Sequence, residues 1–273
     1  MWNYYDKFIR SNYHTDTTPM NLGKSKNPMF GEKAIAKAKA LELERRKTTT
    51  GGDLDETDDM TVSGAVNKTV LLLGLLTLTA LYSYTSPSQI FMPIGALGAA
   101  AVFFVTSFKP HLAPMTAPLF AVLEGLFVGT VSAIYASTFD GIIFQAVSAT
   151  IAVLLTMLII YRSGLIPVTQ KFRMIVSMAV GAIMIVYLIS WIGSFAGFEV
   201  PFIHESTTVG IAITIGIIIV ASLNLLLDFD NFEKGEAMNA PKHMEWYYGM
   251  GLLFTLVWLY IEFLRLISKL QSD

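Results

Sequence analysis

Three places in this sequence set an ionisable side chain among almost wholly apolar neighbours. Glu124 stands inside Leu123-Glu124-Gly125-Leu126-Phe127-Val128-Gly129. Asp228 follows Leu225-Leu226-Leu227 and opens the run Asp228-Phe229-Asp230-Asn231-Phe232-Glu233. Glu262 lies in Tyr260-Ile261-Glu262-Phe263-Leu264, one helical turn ahead of Arg265. A charged side chain at the centre of a membrane helix costs about 2.5–3.5 kcal/mol on insertion scales, so each needs a partner, a water cavity or a task. The chemistry open to such carboxyls is the binding and release of protons or cations.

Each candidate also has a plainer reading. Gly125 and Gly129 form a small-xxx-small face that lets a neighbouring helix approach, so Glu124 is expected to face the bundle. Glu262 and Arg265 suit a local ion pair near an interface. The Asp228 run suits a solvated helix end, with Asp228 its most buried member and Asp230 and the others in water. Against that, acidic residues at a helix C-terminus oppose its dipole. An EF-hand is excluded because the sixth position of the loop lacks glycine; Gly235 comes two residues too late. Asp228 remains a possible cation ligand.

Covalent and redox chemistry find no footing. No GxSxG, HExxH, P-loop, GxGxxG or GxGD motif stands in a usable context. His204-Glu205 lacks a second histidine, and His14, His111, His204 and His243 are far apart in sequence. Arg162-Ser163-Gly164 has no glycine two before the serine. The absence of cysteine removes disulfides, cysteine nucleophiles and iron–sulfur ligation. The chain reads as a non-enzyme without a cofactor, and a formal charge of −2 gives no case for nucleic acid.

The elements that must position these residues follow from composition. Of the 273 residues, 53% are hydrophobic and 15% charged, and half of the charged ones fall before residue 61. The remainder is too poor in charge to coat a water-facing globule. Crossing about 30 Å of hydrocarbon takes roughly 20 apolar helical residues. Seven stretches qualify: about Val66–Tyr84, Ile90–Ser107, Met115–Tyr135, Ile142–Tyr161, Phe172–Ser194, Thr207–Leu227 and Glu245–Ile267. This predicts an all-α integral membrane protein with a polar tail over 1–65 and a seven-helix domain over 66–270.

Basic residues orient it. Those of the tail, with Lys68, Lys109, Arg162, Lys171, Arg173, Lys234 and Lys242, collect on one side, which is therefore the cytoplasmic one. Only Arg265 and Lys269 fall opposite, unless the last segment is re-entrant. Tyr82, Tyr84, Tyr135, Tyr161, Trp191 and Trp246-Tyr247-Tyr248 are expected at interfaces. In the tail, Glu32–Lys47 is a good helix former that lies on the anionic leaflet or stays solvated, and Thr48–Asp59 is an acidic linker. Met20 opens what resembles a second start, which would make the first nineteen residues a dispensable extension.

Three stretches in this order carry a likeness: Ala117-Pro118-Leu119-Phe120 through Phe127, Leu227-Asp228-Phe229-Asp230-Asn231, and Trp258-Leu259-Tyr260-Ile261-Glu262-Phe263-Leu264-Arg265. With the seven-segment pattern, the chain resembles the bacterial branch of the Bax inhibitor-1/YccA-like (TMBIM) family over about Met60 to Leu270. The resemblance implies six helices around the seventh, in the bacterial inner (plasma) membrane. It also implies a pH-sensitive calcium leak gated by two aspartates, one late in helix six and one in helix seven. Asp228 matches the first. The second falls on Thr255, with Glu262 seven residues later on the same helical face. Two carboxylates in a poorly hydrated site share a proton, and its loss introduces repulsion or frees an acceptor for Ca²⁺. With one aspartate, the partner must be Glu262, Glu124 or a basic residue.

Three functions fit: a Ca²⁺ or H⁺ leak gated at Asp228, an interaction protein that modulates a membrane protease or stress response through its tail, and a proton-coupled transporter. The last lacks a clear inverted repeat or broken helices.

Overall fold

The computed structural model of the protein describes residues 59–195 and 207–272. The tail with its Glu32–Lys47 helix and acidic linker, the side chain of Trp191 and the 197–206 loop lie outside the described residues. Among the described residues, seven α-helices and one 3-10 turn follow in order. They are α1 (Val62–Thr85), α2 (Phe91–Phe108), the turn Pro110–Leu112, α3 (Ala113–Ala136), α4 (Ile142–Ser163), α5 (Gln170–Phe195), α6 (Thr208–Ala237) and α7 (Met244–Gln271). All seven are long and apolar enough to cross a membrane.

Local chemistry sets the ends. Thr61 and Thr207 cap α1 and α6, each hydroxyl accepting from the N–H three residues on. Gly164 terminates α4 at φ 68°, a left-handed conformation that favours glycine. Pro118 lies one turn inside α3 and the helix continues through it.

The seventh helix is the centre. Leu253, Leu259 and Leu264 are wholly buried. The other helices meet α7 through named side chains. Phe103 of α2 stacks on Phe254 with centroids 5.0 Å apart. The hydroxyls of Ser132 (α3) and Tyr260 lie 2.8 Å apart, and Tyr187 of α5 donates to Glu262. Asn224 of α6 donates to Thr255, while α1 and α4 pack along the remaining faces. Outward faces are apolar: Phe144, Ile151 and Ile159 of α4 and Ile175, Ile185 and Leu188 of α5 are exposed, as helices facing lipid require.

Three expectations change. First, α6 does not end at Leu227 but runs ten residues further to Ala237. The acidic run therefore lies inside a helix, and the conflict with a helix C-terminus disappears. Second, Asp230 is not in water. It is 9% exposed, against a half-buried Asp228. Its burial is tolerated because Arg173 of α5 and Lys234 both reach it. Third, Tyr247 and Tyr248 are core residues rather than interfacial anchors, packed edge to face at 5.7 Å. The last helix is continuous and not re-entrant, and Lys269 near its end bonds to the carbonyl of Gly210 at the start of α6. Met60 and Ser272 thus lie at opposite ends of the bundle, and the end bearing Met60 is called the tail face below.

Candidate ion site

Between α2, α6 and α7 lies a cavity of about 30 Å³, lined by Phe103, Ser107, Asp228, Asn231, Tyr247, Tyr248, Met250 and Gly251. Its volume suits about two water molecules. The site owes its depth to α6. Thirty residues run about 45 Å, longer than the hydrocarbon is thick, and Asp228 stands nine residues before the tail-side end of the helix.

Around Asp228 the groups are neutral. The Asn224 amide, one turn earlier, lies 3.4 Å from Asp228 Oδ2 and donates to Thr255 Oγ1 at 2.9 Å. Thr255 also neighbours the carboxyl, and its hydroxyl is 3.2 Å from the carbonyl of Gly251. The positive charge acting on Asp228 is the guanidinium of Arg173. That group is held one turn away, by Asp230 and by Asn231 Oδ1 at 2.7 Å. Lys234 completes the cluster at 2.8 Å from Asp230 Oδ2. Near it, Tyr161 donates to Glu233 at 2.7 Å. The structure thus brings Asp228 and Thr255 together.

Glu262 stands elsewhere. It is 1% exposed and accepts from Tyr187 at 2.5 Å and from Arg265 Nη1 at 3.0 and 3.1 Å. Arg265 also donates to the Tyr187 hydroxyl at 2.9 Å and lies over its ring. Seven residues along α7 separate Glu262 from Thr255, about 10 Å. Glu124 is 8% exposed in the apolar layer of α3, between Phe120 and Val128, and makes no hydrogen bond to a described residue. Gly125 and Gly129 behave as their spacing predicted. A Cβ at either would strike α1, at Thr79 and the Leu76 carbonyl or at the Ala80 carbonyl.

Several participants escaped the sequence reading. Asn224 and Arg173 belong to the site, yet each is an unremarkable polar residue in sequence. Asn224 carried a usable signal, since it lies one helical turn before Asp228. Glu245, wholly buried at the start of α7, figured in the sequence only as the first residue of the seventh apolar stretch. At the tail face His243 has its pKa lowered, first by burial and then by the nearby charge of His111. Among the described residues no group of three or more His, Asp or Glu stands close enough to hold a metal ion. A cation at Asp228 would therefore be held by one carboxylate, amide and hydroxyl oxygens and water, as suits a transient passenger.

The model of one protein family, described as Bax inhibitor 1 like, matches residues 24–272. Comparison with curated proteins gives no match. Comparison with solved structures gives none either.

Proposed function

The chain belongs to the Bax inhibitor 1 like family, and on that premise we propose that it is a non-enzymatic cation leak whose gate is the Asp228 carboxyl. One observation carries this reading: an acidic side chain lines a water-sized cavity between α2, α6 and α7, with the Asn224 amide and the Thr255 hydroxyl beside it and no ion pair to a described residue. A fully paired carboxylate such as Glu262 has a guanidinium in direct contact, whereas Arg173 acts on Asp228 only from its place on Asp230 and Asn231. Calcium is the passenger proposed, because a hard divalent cation prefers oxygen donors and tolerates an irregular, partly hydrated shell. Sensitivity to pH then rests on one carboxyl, Asp228, with Thr255 in the second place. The membrane proposed is the bacterial inner membrane with the tail in the cytoplasm, since Lys109 and Lys242 in turns, Arg162 at the end of α4 and Lys171 at the start of α5 all lie on the tail face.

The test is calcium flux into proteoliposomes. Asp228→Asn should abolish the flux or remove its pH dependence, and unchanged flux with an unchanged pH profile overturns the reading. A second reading, an interaction protein that modulates a membrane protease or stress response, is favoured by the direct attachment of the tail to the bundle at Met60. Deleting residues 1–58 would then abolish capture of the protease while leaving flux as it was.

A further inference from the structure

The start of α1 is sewn to the turn between α6 and α7 by three consecutive backbone N–H groups. Met60 N–H donates to the Ala240 carbonyl at 2.8 Å, beside a bridge between Asp59 and Pro241. Thr61 N–H donates to Glu245 Oε1 at 3.0 Å, and Val62 N–H to Glu236 Oε1 at 3.1 Å. N–H groups at a helix start have no partner within the helix, and carboxylates there also meet the positive end of its dipole. The two carboxylates come from opposite arms of the turn, Glu236 from the end of α6 and Glu245 from the start of α7.

The joint is closely fitted. Glu245 is fully buried, and Lys242 reaches its Oε1 at 3.0 Å. Gly64 is what admits the carboxylate, because a Cβ there would collide with it. Met60 is buried, and its sulfur occupies the space beside Gly235 where a Cβ would otherwise stand, against Tyr248. Both arms lead directly to the cavity. Along α7, Tyr247 and Tyr248 follow Glu245 by two and three residues, and along α6, Asn231 and Asp228 precede Glu236 by five and eight residues. A helix is stiff over such lengths, so a shift at the clamp is passed to the cavity wall.

We propose that residues 59–64, with Glu236 and Glu245, form a clamp through which the start of α1 sets the arrangement of the α6–α7 hairpin around Asp228. A displacement of residues 59–64 acts on both arms together and so widens or closes the cavity. The functional consequence rests on the gate reading above, whereas the mechanical coupling does not.

The experiment uses the full chain in liposomes, with hydrogen exchange and calcium flux measured side by side. Glu236→Ala removes one acceptor at an exposed position and leaves the bundle folded. Gly64→Ala drives a methyl group into the Glu245 carboxylate. Each should raise exchange at Thr61 and Val62 roughly fivefold, the effect of losing one hydrogen bond. Coupling requires that exchange at residues 228–233 and 247–251 rise as well, and that flux change by about the same factor. Faster exchange confined to residues 60–64 overturns the clamp as a transmitter and leaves it an anchor. Faster exchange around Asp228 in a protein that passes no calcium supports the coupling and sinks the gate reading instead.

Discussion

Thr255 and Asp228 share the side chain of Asn224, whose amide nitrogen lies 2.9 Å from the hydroxyl and 3.4 Å from the carboxyl. A hydroxyl thus stands where the family resemblance implies a second aspartate. The pair differs from a two-carboxylate sensor in one physical respect: nothing beside Asp228 repels its charge.

Thr255→Asp should restore that repulsion. Two carboxyls in a poorly hydrated site cannot both ionise cheaply, so the variant should be most stable in acid and lose stability as pH rises. Its calcium flux should also respond more steeply to pH than that of the unaltered protein. Superimposable pH profiles of flux and melting temperature would show that position 255 does not sense Asp228.

Thr255→Val tests the neutral contact by itself. It removes the hydroxyl that accepts from Asn224 and should cost about 0.6–1 kcal/mol, the usual worth of an interhelical hydrogen bond in a membrane protein. Unfolding in mixed micelles measures it, and a loss above about 3 kcal/mol would mark Thr255 as a packing residue instead.

Glu262 and Arg265 should behave as a unit. Glu262→Leu leaves a guanidinium with little solvent access and should cost about 3–5 kcal/mol, while the double change Glu262→Leu/Arg265→Leu should cost less than either single one. Tyr187→Phe, which removes a donor to Glu262, should cost about 1 kcal/mol. A double-mutant cycle with no coupling would show that the pair carries nothing.

The glycines within helices divide by what opposes them. Gly129→Ala meets the backbone carbonyl of Ala80, which cannot step aside, and should cost about 1–3 kcal/mol by forcing α1 and α3 apart. Gly181→Ala on α5 has open space around it and should be neutral or stabilising by up to about 1 kcal/mol. Thermal melts of the two variants decide it, since equal losses would mean that close approach of α1 to α3 is unimportant.

At the tail face, His243 should make stability depend on pH. Burial lowers its folded-state pKa below the ordinary value near 6.5, so the unfolded chain binds more protons as pH falls through that range. Its contribution is fully present above about pH 6.5 and is lost as pH falls toward the lowered value. His243→Gln should flatten the decline of melting temperature below that pH, and an unchanged slope would assign the decline elsewhere.

Membership of the all-α membrane class and the seven spans were legible from the residues themselves, because a bilayer demands about 20 apolar residues per crossing whatever the fold. The buried carboxyls were legible as anomalies for the same reason. Their partners were not. The end of the sixth apolar stretch looked like a helix exit because Asp228, Asp230 and Glu233 follow it. The approach of Arg173 from another helix, with Lys234 one turn on, makes a buried Asp230 tolerable within a helix that continues to Ala237. Likewise Glu245, an ordinary first-turn acid in sequence, acquires its role from Thr61, 184 residues away, and from the missing side chain of Gly64. Hydropathy is a property of each segment taken alone, whereas pairing depends on which helix faces which. That choice is made when the helices pack around α7.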